Sequence, residues 1–240
     1  MSLTTSKRSA RSWMLPRRYL TTSFTTPSTA TALQRRIDTM NTQNKGWKLK
    51  DVLMIAICSV LFGVLLLGAT YAGGILYGLL APAGMGSLGY EPFYGIYFMP
   101  AAFAIYVMRK PGTGVVTEII AAVIECLLGN YFGPIVILSG VIQGFGIELP
   151  IALKGYKDFR RPVMITSAVV CSVLTLIYNL FVSGYKMIAV PVLALMLVVR
   201  IISAILFCGI ITPLLCDKLA KAGVLRGYAV SEGTDASFED

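Results

Sequence analysis

The sequence predicts an all-α membrane protein of six transmembrane helices, and three observations predict it. Hydrophobic residues make up 56% of the 240-residue chain and charged residues only 14%, with a mean hydropathy of +0.73. An ordinary soluble domain carries roughly 25% charged residues, so this much apolar surface calls for lipid as its solvent. Six apolar stretches follow one another, separated by breaks rich in Gly and Pro, which punctuate helices through free φ and a missing N–H. Lys and Arg occur in alternate connections, the pattern that orients membrane helices.

The first 50 residues read differently from the rest. They hold ten Lys/Arg and one acid, Asp38, whereas residues 51–240 hold eleven of each sign, so the net charge of +9 resides in the first fifth of the chain. Residues 1–46 are rich in Ser, Thr and Arg, lack apolar periodicity, and read as a disordered basic extension. Their composition resembles an organellar targeting segment. A start near Met40 is the reading preferred, because NTQNKGWKLKD is already a basic lead-in to a membrane helix. Residues 47–228 form the expected membrane domain, and residues 229–240 an acidic disordered tail.

The first span covers residues 49–71 and extends toward 80, where APAGMG closes it. The second covers 92–108 and ends at Lys110-Pro111-Gly112. The third covers 115–128; it is short and carries two glutamates, which suits a helix lining a cavity better than one facing lipid. The fourth covers 135–153 after GNYFGP, and the fifth covers 163–182 after Arg161-Pro162. The sixth covers 187–216, with an amphipathic end reaching 222. Most approach the ~20 residues that cross the hydrocarbon core.

The lead-in carries Lys45, Lys48 and Lys50, and the first connection (81–91) carries no base. The second carries Arg109 and Lys110, and the third none. The fourth carries Lys154, Lys157, Arg160 and Arg161, the fifth only Lys186, and the tail Lys218, Lys221 and Arg226. The positive-inside rule then places both termini in the cytoplasm and connections one, three and five outside.

Histidine is absent, which removes Ser-His-Asp and Cys-His catalysis and every His-based metal site. Cys58, Cys126, Cys171, Cys208 and Cys216 stand singly in apolar runs without a CxxC pair, so they read as small buried hydrophobes. No GxxxxGK[ST] phosphate loop occurs, so the chain is not expected to hydrolyse ATP itself. No catalytic residue, metal or cofactor is expected. With the spans electrically neutral, the basic total gives no support to nucleic-acid binding.

Ionisable groups in lipid are costly and each needs a partner or a role. Counted from the outer loops at ~1.5 Å per residue, Glu125 lies about 6 Å deep, Asn179 about 7–8 Å and Gln143 about 13 Å. Glu118 lies near 16 Å, Arg200 near 20 Å and Glu148 near 21 Å. The matching depths of Glu148 and Arg200 predict a structural ion pair, with Glu118 joining it or holding a proton.

The shallower set opens outward. Glu118 and Glu125, seven residues apart, share one face of the third span. Ser172, Thr175 and Asn179 form a polar stripe on the fifth span. Tyr90, Tyr94 and Tyr97 recur at i, i+4 and i+7, either as an interfacial belt or as a wall on which a flat ligand stacks. Tyr131 and Phe132 offer similar faces. A carboxylate, two amides and aromatic rings make a pocket for a small, flat, nitrogen-rich molecule: the carboxylate accepts paired N–H bonds, the amides complete the set, and the rings stack. On the first span, Ser59 and Gly63 place small residues one turn apart, serving either internal packing or the docking of a partner membrane protein.

Three segments carry a resemblance: GYEPFYGIYFMPAAFAIYVMRKPGTGVVTEIIAAVIECLLGN (89–130), GVIQGFGIELPIALKGYKDFR (140–160) and VVRIISAILFCGIITPLLCDKLAKAGVLRGY (198–228). Within them the RKPG turn at 109–112, Glu118, Glu125, the QGxGxE run at 143–148 and Arg200 are the most specific parts. Over residues 48–228 the chain resembles the YkoE family, substrate-binding S components of energy-coupling-factor (ECF) importers for thiamine and its hydroxymethylpyrimidine precursor. The resemblance implies a six-helix S-component bundle in the bacterial plasma membrane that captures its vitamin outside. It further implies a transmembrane coupling protein and two ABC ATPases as partners, and a subunit that topples to carry the ligand inward. S components often dock through an AxxxA-like motif on the first helix; here Val60 follows Ala56 by four residues, and Ser59/Gly63 is the relaxed substitute. The readings that compete with this one are a stand-alone proton- or ion-coupled carrier, which usually brings inverted repeats, and an intramembrane enzyme, for which no nucleophile and base stand together.

Overall fold

The computed structural model describes residues 46–231. The extension expected before Trp47 lies outside them, Gly46 apart, as do residues 232–240 of the expected tail. Among the described residues every regular element is helical. Four helical stretches are long and apolar enough to cross a membrane: Leu49–Ala83, Ile135–Leu153, Arg161–Val182 and Val190–Lys221.

Helix α1 (Leu49–Leu80) begins where Asp51 accepts the Lys48 backbone N–H at 2.7 Å. Its 32 residues extend for about 48 Å. Pro82 and the left-handed Gly84 (φ 72°) stop it. The first connection is not an open loop. It folds as a 3₁₀ helix (Gly86–Phe93) packed against α1, with Glu91 fully buried.

The expected second span is broken into the single turn α2 (Tyr94–Tyr97) and α3 (Met99–Met108). Pro100 lacks the N–H that would bond the Ile96 carbonyl, and the helix restarts around Phe98. All ten residues of α3 are buried. An all-apolar decamer surrounded by other helices belongs in the core of the bundle. Arg109 ends it at φ 52°, a left-handed conformation unusual outside Gly and Asn.

Helix α4 (Thr113–Leu127) is 15 residues long and packs on α1 and on α5 (Ile135–Leu153). Close approach is built into the sequence. A Cβ on Gly144 of α5 would come within 2.7 Å of the Val115 Cα. A Cβ on Gly63 of α1 would come within 2.7 Å of Ile124 Cγ2. Ser59 is fully buried and donates to the Thr117 carbonyl at 3.2 Å. Ser59 and Gly63 therefore seat α4 against α1 inside the chain. The expectation that they form a docking surface is corrected: small side chains here admit a neighbouring helix of the same bundle.

Helix α6 (Arg161–Val182) packs on α5 and on α7 (Val190–Ala204). A π-helical segment (Ile205–Ile211) joins α7 to α8 (Thr212–Lys221), where Pro213 cannot donate a normal helical bond. Val230 and Ser231, at the end of the described residues, are buried. The side chains on the outer faces are apolar, among them Leu53, Ile57, Leu61 and Val64 of α1. A polar inside and a greasy outside is the arrangement a bilayer demands.

Candidate functional site

A cavity of about 270 Å³ lies at the end of the bundle where α1, α4, the 3₁₀ stretch and α6 meet. Small-molecule sites run upward from roughly 300 Å³, so it suits a compact ligand. Glu118, Glu125, Gln143, Asn179, Tyr90, Tyr94 and Tyr97 all line it. Seven expected site residues, scattered over five elements, are thus brought together.

Helix α4 supplies the acids. Thr70 donates to Glu125 Oε1 at 2.7 Å, and Asn130 Nδ2 bonds the same oxygen. Neither bond uses Oε2. Two turns earlier, Glu118 Oε2 accepts the Ala101 backbone N–H at 2.9 Å. Ala101 lies in the first turn of α3, so this carboxylate caps a helix N-terminus while also lining the cavity. The Gln143 amide is assigned with its nitrogen toward Glu118 Oε1 and the Tyr97 carbonyl, each 3.1 Å away, and its oxygen accepting from Ser139 at 2.6 Å. The reverse orientation would turn its oxygen onto acceptors only.

The aromatic wall is anchored from behind. Asn179 donates to the Tyr94 hydroxyl at 2.5 Å, and Tyr94 and Tyr97 meet edge-to-face with centroids 5.6 Å apart. Tyr131 does not line the cavity. Its hydroxyl donates to the Thr70 carbonyl at 2.6 Å and lies 2.9 Å from that of Tyr90, bracing the wall. Phe132 lines the cavity and contacts the Tyr90 ring edge-on at 5.4 Å.

The expected Glu148–Arg200 pair is corrected. Arg200 grips Glu91 with two bonds, Nε to Oε2 at 2.6 Å and Nη2 to Oε1 at 2.7 Å. Both side chains are fully buried. Nη1 donates to Thr175 at 3.2 Å, and the guanidinium stands 3.6 Å from the centroid of the Tyr94 ring. Tyr185 donates to Glu91 Oε1 at 3.3 Å. Glu148 faces the other end of the bundle. It accepts the Gly112 backbone N–H, that of Val115 at 3.1 Å and the Tyr156 hydroxyl at 2.8 Å. The physical reason is the same as for Glu118: the exposed amides and dipole of a helix N-terminus, here that of α4, hold a carboxylate without a basic partner. Depth alone does not separate these partners, and Glu91 lies in the first connection, outside the spans that depth compares.

Sequence reasoning also missed Thr70, Tyr77, Ser139, Tyr178 and Tyr185, which line the cavity as well. Thr70 carried a signal, a hydroxyl in an apolar run on the turn that faces Glu125. Among the described residues no group of three or more His, Cys, Asp or Glu could hold a metal ion.

Residues 50–174 match the family described as the permease component of an ABC-type cobalt transport system. The chain is 41% identical over 188 residues to the protein named HMP/thiamine permease YkoE in Bacillus subtilis (strain 168), covering 78% of this chain and 92% of the relative. A crystal structure titled as an S component of an ECF transporter superposes with a TM-score of 0.77 at 39% identity, covering 81% of this chain and 96% of the other.

Proposed function

The chain belongs to the YkoE family of ECF-transporter S components, and we propose from that premise that its cavity captures thiamine or the hydroxymethylpyrimidine precursor of thiamine. It is a multi-pass transporter subunit of the bacterial plasma membrane, not an enzyme. The observation that carries the ligand assignment is the meeting of Glu125 with a tyrosine wall and two amides in one compact cavity. An aminopyrimidine presents a ring nitrogen beside an exocyclic amino group on a flat ring. A carboxylate accepts the N–H donors of that edge, protonated ring nitrogen included. The rings of Tyr94 and Tyr97 supply stacking faces, and Asn179 and Gln143 complete the polar contacts.

In this reading residues 47–228 form the S component, with six spans, both termini in the cytoplasm and the cavity open to the outside. The alternation of Lys and Arg among the connections supports that orientation. The cavity then meets external vitamin, and a transmembrane coupling protein with two ABC ATPases supplies the energy that this chain has no phosphate loop to harvest.

Isothermal calorimetry on the detergent-purified chain tests the assignment. Thiamine or hydroxymethylpyrimidine should bind, and Glu125→Gln should weaken binding about tenfold or more, the loss expected when a charge-assisted bond becomes a neutral one. No heat with either compound would overturn the ligand assignment. Unchanged affinity in E125Q would remove Glu125 from the site. Uptake by the chain alone driven by a proton gradient would overturn the assignment of the energy source.

A further inference from the structure

At the opposite end of the bundle from the vitamin cavity lies a second depression, of about 570 Å³, that the transport reading leaves without a role. Tyr106, Arg109, Lys157, Asp158, Phe159 and Arg160 line it. Helix α6 spans the distance between the two sites, starting at Arg161 beside this depression and ending at Val182 in the cavity wall. Its 22 residues cover about 33 Å, roughly one hydrocarbon thickness. The depression therefore sits at a membrane surface.

Its chemistry is that of an anion site. Three cationic side chains, Arg109, Lys157 and Arg160, face one carboxylate, Asp158. That carboxylate is already committed: Arg160 Nε and Nη2 donate to it at 3.0 and 2.9 Å, and Lys154 stands 3.5 Å away. These hydrogen bonds from Arg160 hold the Asp158 carboxyl well below the usual carboxylate range, so its charge persists and remains engaged. Arg109 forms no ion pair among the described residues, and its buried Nε has no hydrogen-bond acceptor there. Its guanidinium stands over two rings, 5.3 Å from the centroid of Phe159 and 6.0 Å from that of Tyr106. Tyr106 is fixed in turn by its bond to Asp217 at 3.1 Å. A side chain so braced, on a left-handed backbone (φ 52°), is pre-organised while one of its donors lacks a mate.

We infer that this depression binds a phosphate group, carried by an anionic phospholipid headgroup or by a soluble phosphate, with Arg109 as its principal donor and Lys157 as its second cation. A guanidinium matches phosphate oxygens in a fixed fork, and an exposed lysine adds a point charge at the rim. Basic recesses between helices at a membrane surface are suited to such headgroups.

Native mass spectrometry of the full detergent-purified chain tests it, with phosphatidylglycerol, phosphatidylcholine and inorganic phosphate as probes. Phosphatidylglycerol adducts should outlast phosphatidylcholine adducts. Arg109→Gln should cut the phosphatidylglycerol adducts about fivefold or more. Lys157→Gln, at an exposed position where substitution has little effect on stability, should cut them in the same direction. Displacement of the lipid by millimolar inorganic phosphate assigns the site to soluble phosphate, and resistance to it assigns the site to lipid; either outcome keeps the anion chemistry. Equal retention of the two lipids by the wild-type chain together with no phosphate adduct, or adducts unchanged in both variants, overturns the site.

Discussion

Replacing Arg200 by Met tests how this bundle tolerates charge in its interior. Met keeps the length and apolar stem and removes the guanidinium. The structure then leaves Glu91, fully buried, with only the 3.3 Å bond from Tyr185 in place of two charge-assisted bonds at 2.6 and 2.7 Å. Removing one partner of a buried pair costs about 3–5 kcal/mol, because the other charge stays behind. At about 2–4 °C per kcal/mol for a chain of this size, melting should fall by roughly 6–20 °C. Thermal unfolding in detergent measures the fall, and a double-mutant cycle assigns its origin. Glu91→Gln in the R200M background should add far less than it does alone, since no orphaned charge remains. Glu148→Gln should add its full cost in either background, because Glu148 bonds the start of α4 and not Arg200. Wild-type melting in R200M, or coupling of Arg200 to Glu148 rather than to Glu91, would refute the reasoning.

The remaining predictions concern helix ends and helix contacts. Glu148→Gln alone removes the negative charge from the N-terminus of α4, worth about 1–2 kcal/mol. It should lower melting while leaving calorimetric affinity for the vitamin unchanged; lost affinity at wild-type melting would contradict the capping role. Gly63→Leu must force Ile124 aside, since even a Cβ would lie 2.7 and 2.9 Å from its Cγ2 and Cβ. Overpacking of this kind costs about 1–3 kcal/mol and should lower melting of the isolated subunit. Val64→Trp, on the outward face of the same helix, should change stability by no more than about 0.5 kcal/mol. Equal melting of G63L and wild type would mean that α4 does not pack there.

What the sequence made legible was decided by local periodicity. The fourth span, 135–153, matches the observed helix residue for residue, because GNYFGP delimits its start and the apolar run defines its length. The gathering of Glu118, Glu125, Gln143 and Asn179 followed from one rule, that polar groups in lipid turn toward each other, while the spacing of the three tyrosines left a belt and a wall equally open. The break within the second span escaped the reading because Pro100 interrupts a run that hydropathy alone reads as continuous. The ion pair failed because Glu91 lies in a connection, and no count along the chain shows a connection folding back into the bundle. Ser59 and Gly63 show a different limit: a small-residue ladder looks the same whether the approaching helix belongs to this chain or to another.

The four buried glutamates are compensated in different ways, and the difference points to one of them. Glu91 has a guanidinium, while Glu118 and Glu148 have the amides at helix N-termini. Glu125 has only the Thr70 hydroxyl and the Asn130 amide, both on Oε1. Neutral donors compensate a carboxylate less than a cation or a helix dipole does, so Glu125 gains most from a ligand that brings N–H donors or positive charge. Glu118, bound to the start of α3, helps hold the bundle together as well as lining the cavity. Glu118→Gln should therefore lower melting and affinity together, whereas Glu125→Gln should lower affinity with melting of the ligand-free chain held or raised. Calorimetry and ligand-free melting on the two variants separate the roles. Loss of stability in E125Q matched to that in E118Q would mean that both acids are structural and that the ligand takes its contacts elsewhere in the cavity.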